Sequence, residues 1–595
     1  MPEISTSSLL LEHYGIIWRD MSISIPSTGP IPLVVAATGH TDLRPEDVAT
    51  LESRVRQVFD QLRARYPHSK LEVLSPLAEG ADRLVARVAL ACELRLIVPL
   101  PMEPDEYIKD FAGPDSIAEF DELRARAARS FVVRGAGGRV APRPGCYEQV
   151  GAYSAMHCHV LLALWNGHNP HKIGGTSEIV RFRLEGVPAE YAGFGRRLDP
   201  VDTGVVHHIV TPRMSDPSTL GGAPFTLHLR GPKGRGSHEK AVRDFEQICE
   251  STEAFNALAA GGDAGAEARR AHSQGRLLSA RKAKELDAGA RTVRTLYGFA
   301  DELAIRFQRH TIWTQRALFG IVFAAIVAFE VFAHELKGVP PSIPISLYVI
   351  LLGAVYVLFK RAQRRELDRR YLDYRALAEG LRVQFYWRLA RVPGSVADYY
   401  MRYRLQEVEW IRQALRGCEL WTSPDDDAPA AVDALHTVAT DWIEGQRAFF
   451  THAAARIEAQ LHVHKRRTRG LASFSVLAGV LTMLATLGMG DEGWIAWAGR
   501  NEFTYVGLIA IIGLTSASAA LIHGYVEKRA LAAHVKRYSH MAFLFQSASK
   551  ALRIPLDSED WPAAREVLQE IGRAALEENA DWVMVHRERP LEVPQ

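Results

Sequence analysis

Four long apolar runs constrain this chain more than anything else in its sequence. Residues 317–333 and 343–359 give 17 positions each, 471–489 gives 19 and 503–522 gives 20. A helix crossing the hydrocarbon core of a bilayer needs about 20 predominantly apolar residues, within a range of roughly 17–25. The last two runs meet that length comfortably. The first two sit at its short end, where a buried soluble hairpin is the competing reading. A mean hydropathy of -0.07 for the whole chain conceals all four.

The flanks favour a membrane. Arg306, Arg309 and Arg316 precede the first run, and Lys360, Arg361, Arg364 and Arg365 follow the second. Lys465, Arg466, Arg467 and Arg469 precede the third, and Lys528, Arg529, Lys536 and Arg537 follow the fourth. The two short connecting loops hold only Lys337 and Arg500. Positive charge gathers on the cytoplasmic side of spanning helices, so both ends of each hairpin are expected inside. Trp313 at an inner boundary, with Trp494 and Trp497 in the outer loop, sits where amphipathic rings prefer to lie. The expected topology is multi-pass: two hairpins in the lipid bilayer, with both termini and the middle segment cytoplasmic.

Composition narrows the function. The 71 Lys+Arg and 69 Asp+Glu of the 595 residues leave a net charge of +2, which argues against a nucleic-acid binder. At 47% apolar and 24% charged, the chain is neither disordered nor fibrous. Five cysteines with no C-x-x-C pair read as free thiols in a reducing compartment. The N-terminus lacks a basic segment followed by a long apolar run, so no signal peptide is expected. By pattern the chain divides into an N-terminal extension (1–30), a domain of alternating strands and helices (31–215) and a linker with a charged helix (216–300). A first hairpin with cytoplasmic helices (301–420), a second hairpin (421–540) and a C-terminal helical segment (541–595) follow.

Between about 31 and 210 the pattern becomes strand, loop, helix, repeated. Short apolar runs at 33–37, 71–74, 94–98, 131–133, 160–164 and 205–210 are strand-like. Between them, Val48, Leu51, Val55, Val58, Phe59 and Leu62 share one helix face behind Pro45. Alternation of this kind predicts an α/β, doubly wound parallel sheet of Rossmann-like form, joined here to an α-helical membrane domain with four transmembrane helices. Ligands of such sheets collect at the carboxyl ends of the strands.

Three loops there suit phosphate or ribose. They are Thr38-Gly39-His40 after the first strand, Glu79-Gly80-Ala81-Asp82 after the second, and Asn166-Gly167 with Gly174-Gly175-Thr176-Ser177-Glu178 after the fifth. Glycines let backbone N–H groups approach a ligand, and free N–H groups at a helix start favour an anion. Thr176 adds a hydroxyl, while Asp82 or Glu178 is placed to take ribose hydroxyls or polarise a reacting group. Neither a P-loop nor a dinucleotide G-x-G-x-x-G occurs between a strand and a helix.

The set of a T-G-H loop, E-G-A-D, the A-L-W-N-G strand end and G-G-T-S-E resembles the SLOG superfamily over roughly residues 30–212. That superfamily includes LOG-type nucleotide phosphoribohydrolases and sensor domains for nucleotide-derived ligands. The resemblance implies a bound nucleotide or nucleotide-derived small molecule and no other cofactor. The LOG-type pattern is P-G-G-x-G-T-x-x-E, whose Glu serves catalysis. This chain lacks the Pro and the middle Gly, which changes the register of Glu178 and favours sensing over hydrolysis.

The segment 237–309 is charged and helical in pattern, interrupted by Gly261-Gly262 and Gly265, and reads as a linker followed by a long helix feeding the first apolar run. The stretches 371–389, 399–415 and 527–586 continue the helical character, and Ser423-Pro424-Asp425 marks a loop or a helix start. Arg375-Ala376-Leu377-Ala378 recurs as Arg529-Ala530-Leu531-Ala532, a weak internal echo. A two-helix hairpin followed by a cytoplasmic helix carrying Y-R-A-L-A-E-G-L-R (374–382) resembles the SLATT domain, clearest over about 300–420. SLATT proteins are membrane effectors that accompany SLOG or nucleotide-synthesising partners in bacterial conflict systems. The resemblance implies a homo-oligomeric pore or membrane disruption in a bacterial inner membrane, switched by a nucleotide signal.

Glu330 lies inside the first apolar run and is the candidate for a membrane pathway, with snorkelling to the interface as the alternative. Gly320 and the Thr515, Ser516 and Ser518 cluster suit close helix packing. His157 and His159, two apart at the start of the fifth strand, and the pair His207-His208 lack an identifiable third ligand, so no metal is assigned. The glycine-rich 231–236 stretch reads as a solvated basic loop. The expected function is therefore a nucleotide-gated membrane effector. A membrane-anchored N-glycosidase using Glu178 or Asp82 as its catalytic carboxylate is the alternative, and a scaffold the third class.

Overall fold

The computed structural model describes residues 28–587, apart from 135–140, 171, 192–201, 233–237, 335–338, 402–407 and 422–431. Lys337, the Ser423 loop and most of the 231–236 stretch therefore lie outside the described residues.

Seven strands form one sheet: β1 (Leu33–Gly39), β2 (Leu71–Leu74), β3 (Arg95–Leu100), β4 (Arg129–Val132), β5 (Val160–Trp165), β6 (Val205–Val210) and β7 (Leu227–Arg230). Their order is β4-β3-β2-β1-β5-β6-β7. All pairs are parallel except β6–β7. Val35 sits between Val73 of β2 and Val160 of β5, and every β5 side chain is buried, as a strand covered on both faces requires. Helices α1 (Val48–Arg65), α2 (Ala81–Ala91), α3 (Pro104–Tyr107), α4 (Pro114–Arg126), α5 (Arg143–His157) and α6 (Thr176–Glu185) cover it. α1 buries Leu51, Val55, Val58, Phe59 and Leu62, the stripe that its periodicity predicts.

Two expectations change here. β7 falls within the stretch read as linker, and it extends the sheet antiparallel to β6. His157 ends α5 rather than opening a strand. Its ring stacks on Tyr153 at 3.9 Å, whereas His159 Nδ1 accepts the Val34 N–H at 3.0 Å. The two histidines thus face different partners. Among the described residues no three His, Cys, Asp or Glu side chains converge as metal ligands would.

The rest is helical: α7 (His238–Ala260), α8 (Ala266–Leu277), α9 (Ala288–Ala333), α10 (Ser342–Arg364), α11 (Leu367–Ala390), α12 (Val396–Tyr399), α13 (Glu409–Glu419) and α14 (Val432–Thr437). α14 continues through a π-helical segment, Val438–Glu444, into α15 (Gly445–Arg500); α16 (Glu502–Lys528), α17 (Leu531–Asp557) and α18 (Trp561–Arg587) complete the chain. Asp287 caps α9 by accepting the Ala290 N–H at 2.7 Å, and the helix then runs 46 residues without a break. Below the apolar runs α9, α11, α13, α17 and α18 share one aromatic-rich core, in which Tyr386 and Trp442 stack at 5.2 Å and Trp387 Nε1 donates to the Leu568 carbonyl at 3.1 Å.

Four helices are long and apolar enough to cross a membrane, with window hydropathies of 1.9–2.2, and no more than 17% of any window is buried within the chain. α9 packs on α10 and α16, and α16 on α15. Ser475 Oγ and Ser516 Oγ meet at 2.6 Å between the third and fourth runs, so that cluster does pack helix on helix. Gly320 does not: a Cβ there would touch nothing. The tetrapeptide echo is not structural either, since 375–378 lies inside α11 while Ala530 forms the α16–α17 junction. The real correspondence lies elsewhere. Each pair's exit helix is followed by a residue at positive φ, Glu366 (49°) after α10 and Ala530 (47°) after α16.

Candidate functional site

The sheet's winding reverses between β1 and β5, because β2, β3 and β4 lie on one side of β1 and β5, β6 and β7 on the other. The carboxyl ends of the strands flanking such a reversal form the usual ligand crevice of an open α/β sheet. The three glycine loops meet there. Ala81 N–H donates to the His40 carbonyl at 2.9 Å, the Asn166 N–H to His40 Nε2 at 2.9 Å, and Thr176 Oγ1 to the Gly39 carbonyl at 2.8 Å. Thr38 is buried in β1 beside Ala163 of β5.

Two glycines are required by this meeting. A Cβ on Gly39 would stand 2.4 Å from the Ala81 Cβ and 2.6 Å from the Leu164 carbonyl oxygen. Gly80 has φ +79°, and a Cβ there would lie 2.5 Å from both the His40 and Thr41 carbonyls.

The polar groups are more committed than their sequence positions suggest. Glu178 accepts the Gly174 N–H at 2.7 Å and pairs with Arg181 at 3.0 Å, so its carboxylate ties the loop to α6. His40 uses Nε2 as an acceptor, which fixes the neutral tautomer with the proton on Nδ1. Burial, aided by the charge of Arg213, pushes its pKa down to about 4. Asp82 is the opposite case. Burial pushes its pKa up to about 8, against a hydrogen bond from the Ala78 N–H and the charge of Arg83. Asp82 is therefore a neutral acid at neutral pH. The phenol of Tyr107, near enough to feel the charge of Asp82, is buried and has no hydrogen-bond partner among the described residues.

The loop after β6 completes the site, and sequence reasoning passed it over. Arg213 pairs with Asp42 at 2.9 Å, and Ser215 N–H bonds the same carboxylate at 3.2 Å. Burial alone would raise Asp42, but Ser215 and Arg213 hold it below its ordinary range. Asn166 Nδ2 reaches Asp216 at 3.4 Å, and the Leu220 N–H donates to the Asn166 carbonyl at 2.7 Å, so this loop covers Asn166-Gly167. The available signal was an arginine within three residues of a strand end.

α13 joins this domain to the helical body. Arg412 and Arg416, both buried, converge on Asp202, Arg412 at 2.8 Å, and Arg416 also reaches Asp398 at 3.1 Å. Arg95 lies 3.8 Å over the Trp421 ring just beyond α13, and Trp421 Nε1 donates to Glu72 at 3.2 Å. α5 connects the two sites, since it packs against α13 while a Cβ on Gly174 would touch its Tyr147 and Glu148.

A cavity of about 490 Å³ lies beneath the four apolar runs, among α9, α11, α15, α17 and α18. Its charges are largely answered internally: Glu379 takes Arg375 and Arg382, Arg537 takes Glu578, and Arg382 also donates to Tyr297 Oη at 2.8 Å. Higher up, Glu330 stands against α16, its Oε1 2.9 Å from where a Cβ on Gly513 would be, with His334 at 3.4 Å. That carboxylate sits between helices.

The sheet, its point of reversal and its glycine loops define an α/β domain of Rossmann-like architecture on a helical body with four apolar helices. The chain matches no family model, no curated protein and no solved structure.

Proposed function

We propose that the protein is a bacterial inner-membrane sensor–effector. A cytoplasmic SLOG-like domain binds a nucleotide or nucleotide-derived signal, and a SLATT-like module of four spanning helices, assembled as a homo-oligomer, opens a conductive path in response. The observation that carries this reading is the convergence of three glycine loops and the starts of α2 and α6 on the one point where the sheet reverses. Two further observations support it. Apolar windows left exposed along four helices need a hydrocarbon solvent, because soluble surfaces rarely leave so much contiguous apolar area in water. The buried Arg412–Asp202–Arg416 cluster gives the sheet a rigid hold on the helices. A ligand shifts such an equilibrium only by binding the open arrangement more tightly.

Full-length protein is incubated with a panel of nucleotides, including cyclic and ADP-ribose-type molecules, and the bound fraction is analysed by mass spectrometry. The expected result is one ligand retained intact, which then triggers solute flux from proteoliposomes. Retention of no member of the panel overturns the sensor reading.

A second reading, an N-glycosidic hydrolase, is favoured by the place of Asp82 in the first turn of α2, next to Ala81 whose N–H meets the His40 loop, where burial also keeps its carboxyl protonated up to about 8. Under that reading the same incubation yields free base and ribose phosphate, and Glu178→Gln or Asp82→Asn abolishes turnover while leaving retention in place.

A further inference from the structure

A second cavity, of about 600 Å³, opens between α9, α10 and the start of α11. Its floor is apolar and includes Phe307, Leu358 and Ala362. Its rim carries five arginines from three elements: Arg306 of α9, Arg361 and Arg364 of α10, and Arg365 and Arg370 at and beyond the α10–α11 junction. The sole carboxylate on the wall is Asp263, already held by Arg269 at 2.9 Å and kept below its usual pKa by that hydrogen bond. Arg370 has Glu366 at 3.5 Å. Among the described residues, no carboxylate lies within ion-pair distance of Arg306, Arg361, Arg364 or Arg365. The cavity beneath the bundle answers most of its charges internally; this one leaves most of its own unanswered.

Its place in the chain says what fits. Arg361 follows the second apolar run by two residues, and Trp313, also on the wall, precedes the first by four. With the runs in a bilayer, the arginine rim lies at headgroup depth and the apolar floor faces the first part of the acyl chains. Guanidinium groups bind phosphate oxygens in pairs of parallel hydrogen bonds, and basic pockets between spanning helices on the cytoplasmic side suit anionic headgroups.

We propose that this cavity is a binding site for a phosphate-bearing headgroup, supplied by an anionic phospholipid of the cytoplasmic leaflet. Three guanidiniums without a carboxylate partner, with Arg306 shared with Asp263, match a headgroup carrying two phosphates better than one. The proposal rests on the membrane half of the functional reading and is independent of the nucleotide half.

The test is native mass spectrometry of detergent-solubilised full-length protein titrated separately with cardiolipin, phosphatidylcholine, inorganic phosphate and glycerophosphate. The variant Arg361→Gln/Arg364→Gln/Arg365→Gln is compared with Arg309→Gln/Arg316→Gln/Lys360→Gln, which removes three charges from the same boundary outside the cavity. At about fivefold per guanidinium, the cavity variant is expected to bind cardiolipin roughly a hundredfold more weakly, with the control close to wild type. Equal loss in both variants overturns the site, as does wild-type protein that binds cardiolipin no better than phosphatidylcholine. Binding of inorganic phosphate or glycerophosphate as tight as that of the lipid overturns the lipid source. Wild-type protein alone decides the preference if the cavity variant fails to fold. Vesicle flotation separates the two levels: protein that does not float loses the membrane reading and this proposal together, whereas protein that floats without anionic preference loses only the proposal.

Discussion

Asp82→Asn removes one titrating proton from the sheet's core, and the structure says how its effect depends on pH. In the folded chain Asp82 keeps its proton up to about pH 8; its ordinary value is 3.8. A carboxyl raised in this way contributes most stability below pH 3.8, and that contribution is lost as pH rises towards 8. Across the interval the unfolded chain releases a proton that the folded chain retains, so wild type loses about 1.36 kcal/mol per pH unit relative to a non-titrating residue. Between pH 5 and 7 the difference is about 2.7 kcal/mol, or roughly a hundredfold in the opening equilibrium. His40 works with the opposite sign, its contribution full above 6.5 and lost as pH falls towards 4, but it is present in both proteins and cancels. The assay is hydrogen–deuterium exchange of β1 and β2 amides in the full-length protein, corrected for intrinsic rates. The variant should gain on wild type by about one decade of protection per pH unit from 5 to 7, levelling off near 8. Parallel pH profiles would refute the assignment of a buried, neutral Asp82.

Three further outcomes are expected. Gly39→Ala forces β1 away from α2 or β5, costs about 1–3 kcal/mol by overpacking and abolishes nucleotide retention; retention at wild-type strength contradicts the loop geometry. Arg416→Ala takes one of two arginines from buried Asp202 and its ion pair from Asp398, at a cost of about 1.5–3 kcal/mol, so limited proteolysis should separate the sheet from the helices more readily and ligand should bind with weakened triggering of flux. Glu330→Gln leaves ligand retention intact and lowers the preference for cations over anions in the triggered flux; unchanged selectivity removes Glu330 from the conducted path.

Much of the sheet was legible because β1, β3 and β5 are buried on both faces and so appear as apolar runs, with β2 and β6 interrupted only by Glu72 and His207-His208 and α1 carrying a single apolar stripe. β7 was not legible: its four residues are half exposed and alternate Leu with His and Arg, which reads as loop. α9, by contrast, was legible, since the charged helical pattern leads straight into the first apolar run; the structure makes them one helix and puts Leu296, Ala300 and Leu303 in the core. The three loops were visible through their glycines. That Thr176 and Glu178 spend their hydrogen bonds within those loops depends on distances to Gly39 and Gly174, and the former is set by strand register between positions 137 residues apart. The Asp202 partnership is similarly invisible, because Arg412 lies 210 residues away and an isolated Asp gives no hint of a buried pair.

The unbroken course of α9 has a mechanical consequence. Its base is set in the shared core as far as Phe307, and 26 residues continue to Ala333 against α10 and α16, burying Thr311, Thr314, Leu318, Ala325 and Ala328 on the way. At 1.5 Å per residue this upper arm is about 39 Å long, so a tilt of about 10° about Phe307 would sweep its tip sideways by roughly 7 Å and carry its contacts with α10 and α16 along. That exceeds the ~4.6 Å width of a helix backbone. Any tilt passed to α9 by α13, which packs against it, would therefore be amplified along the rod and reach α10 and α16 as a displacement larger than a helix backbone.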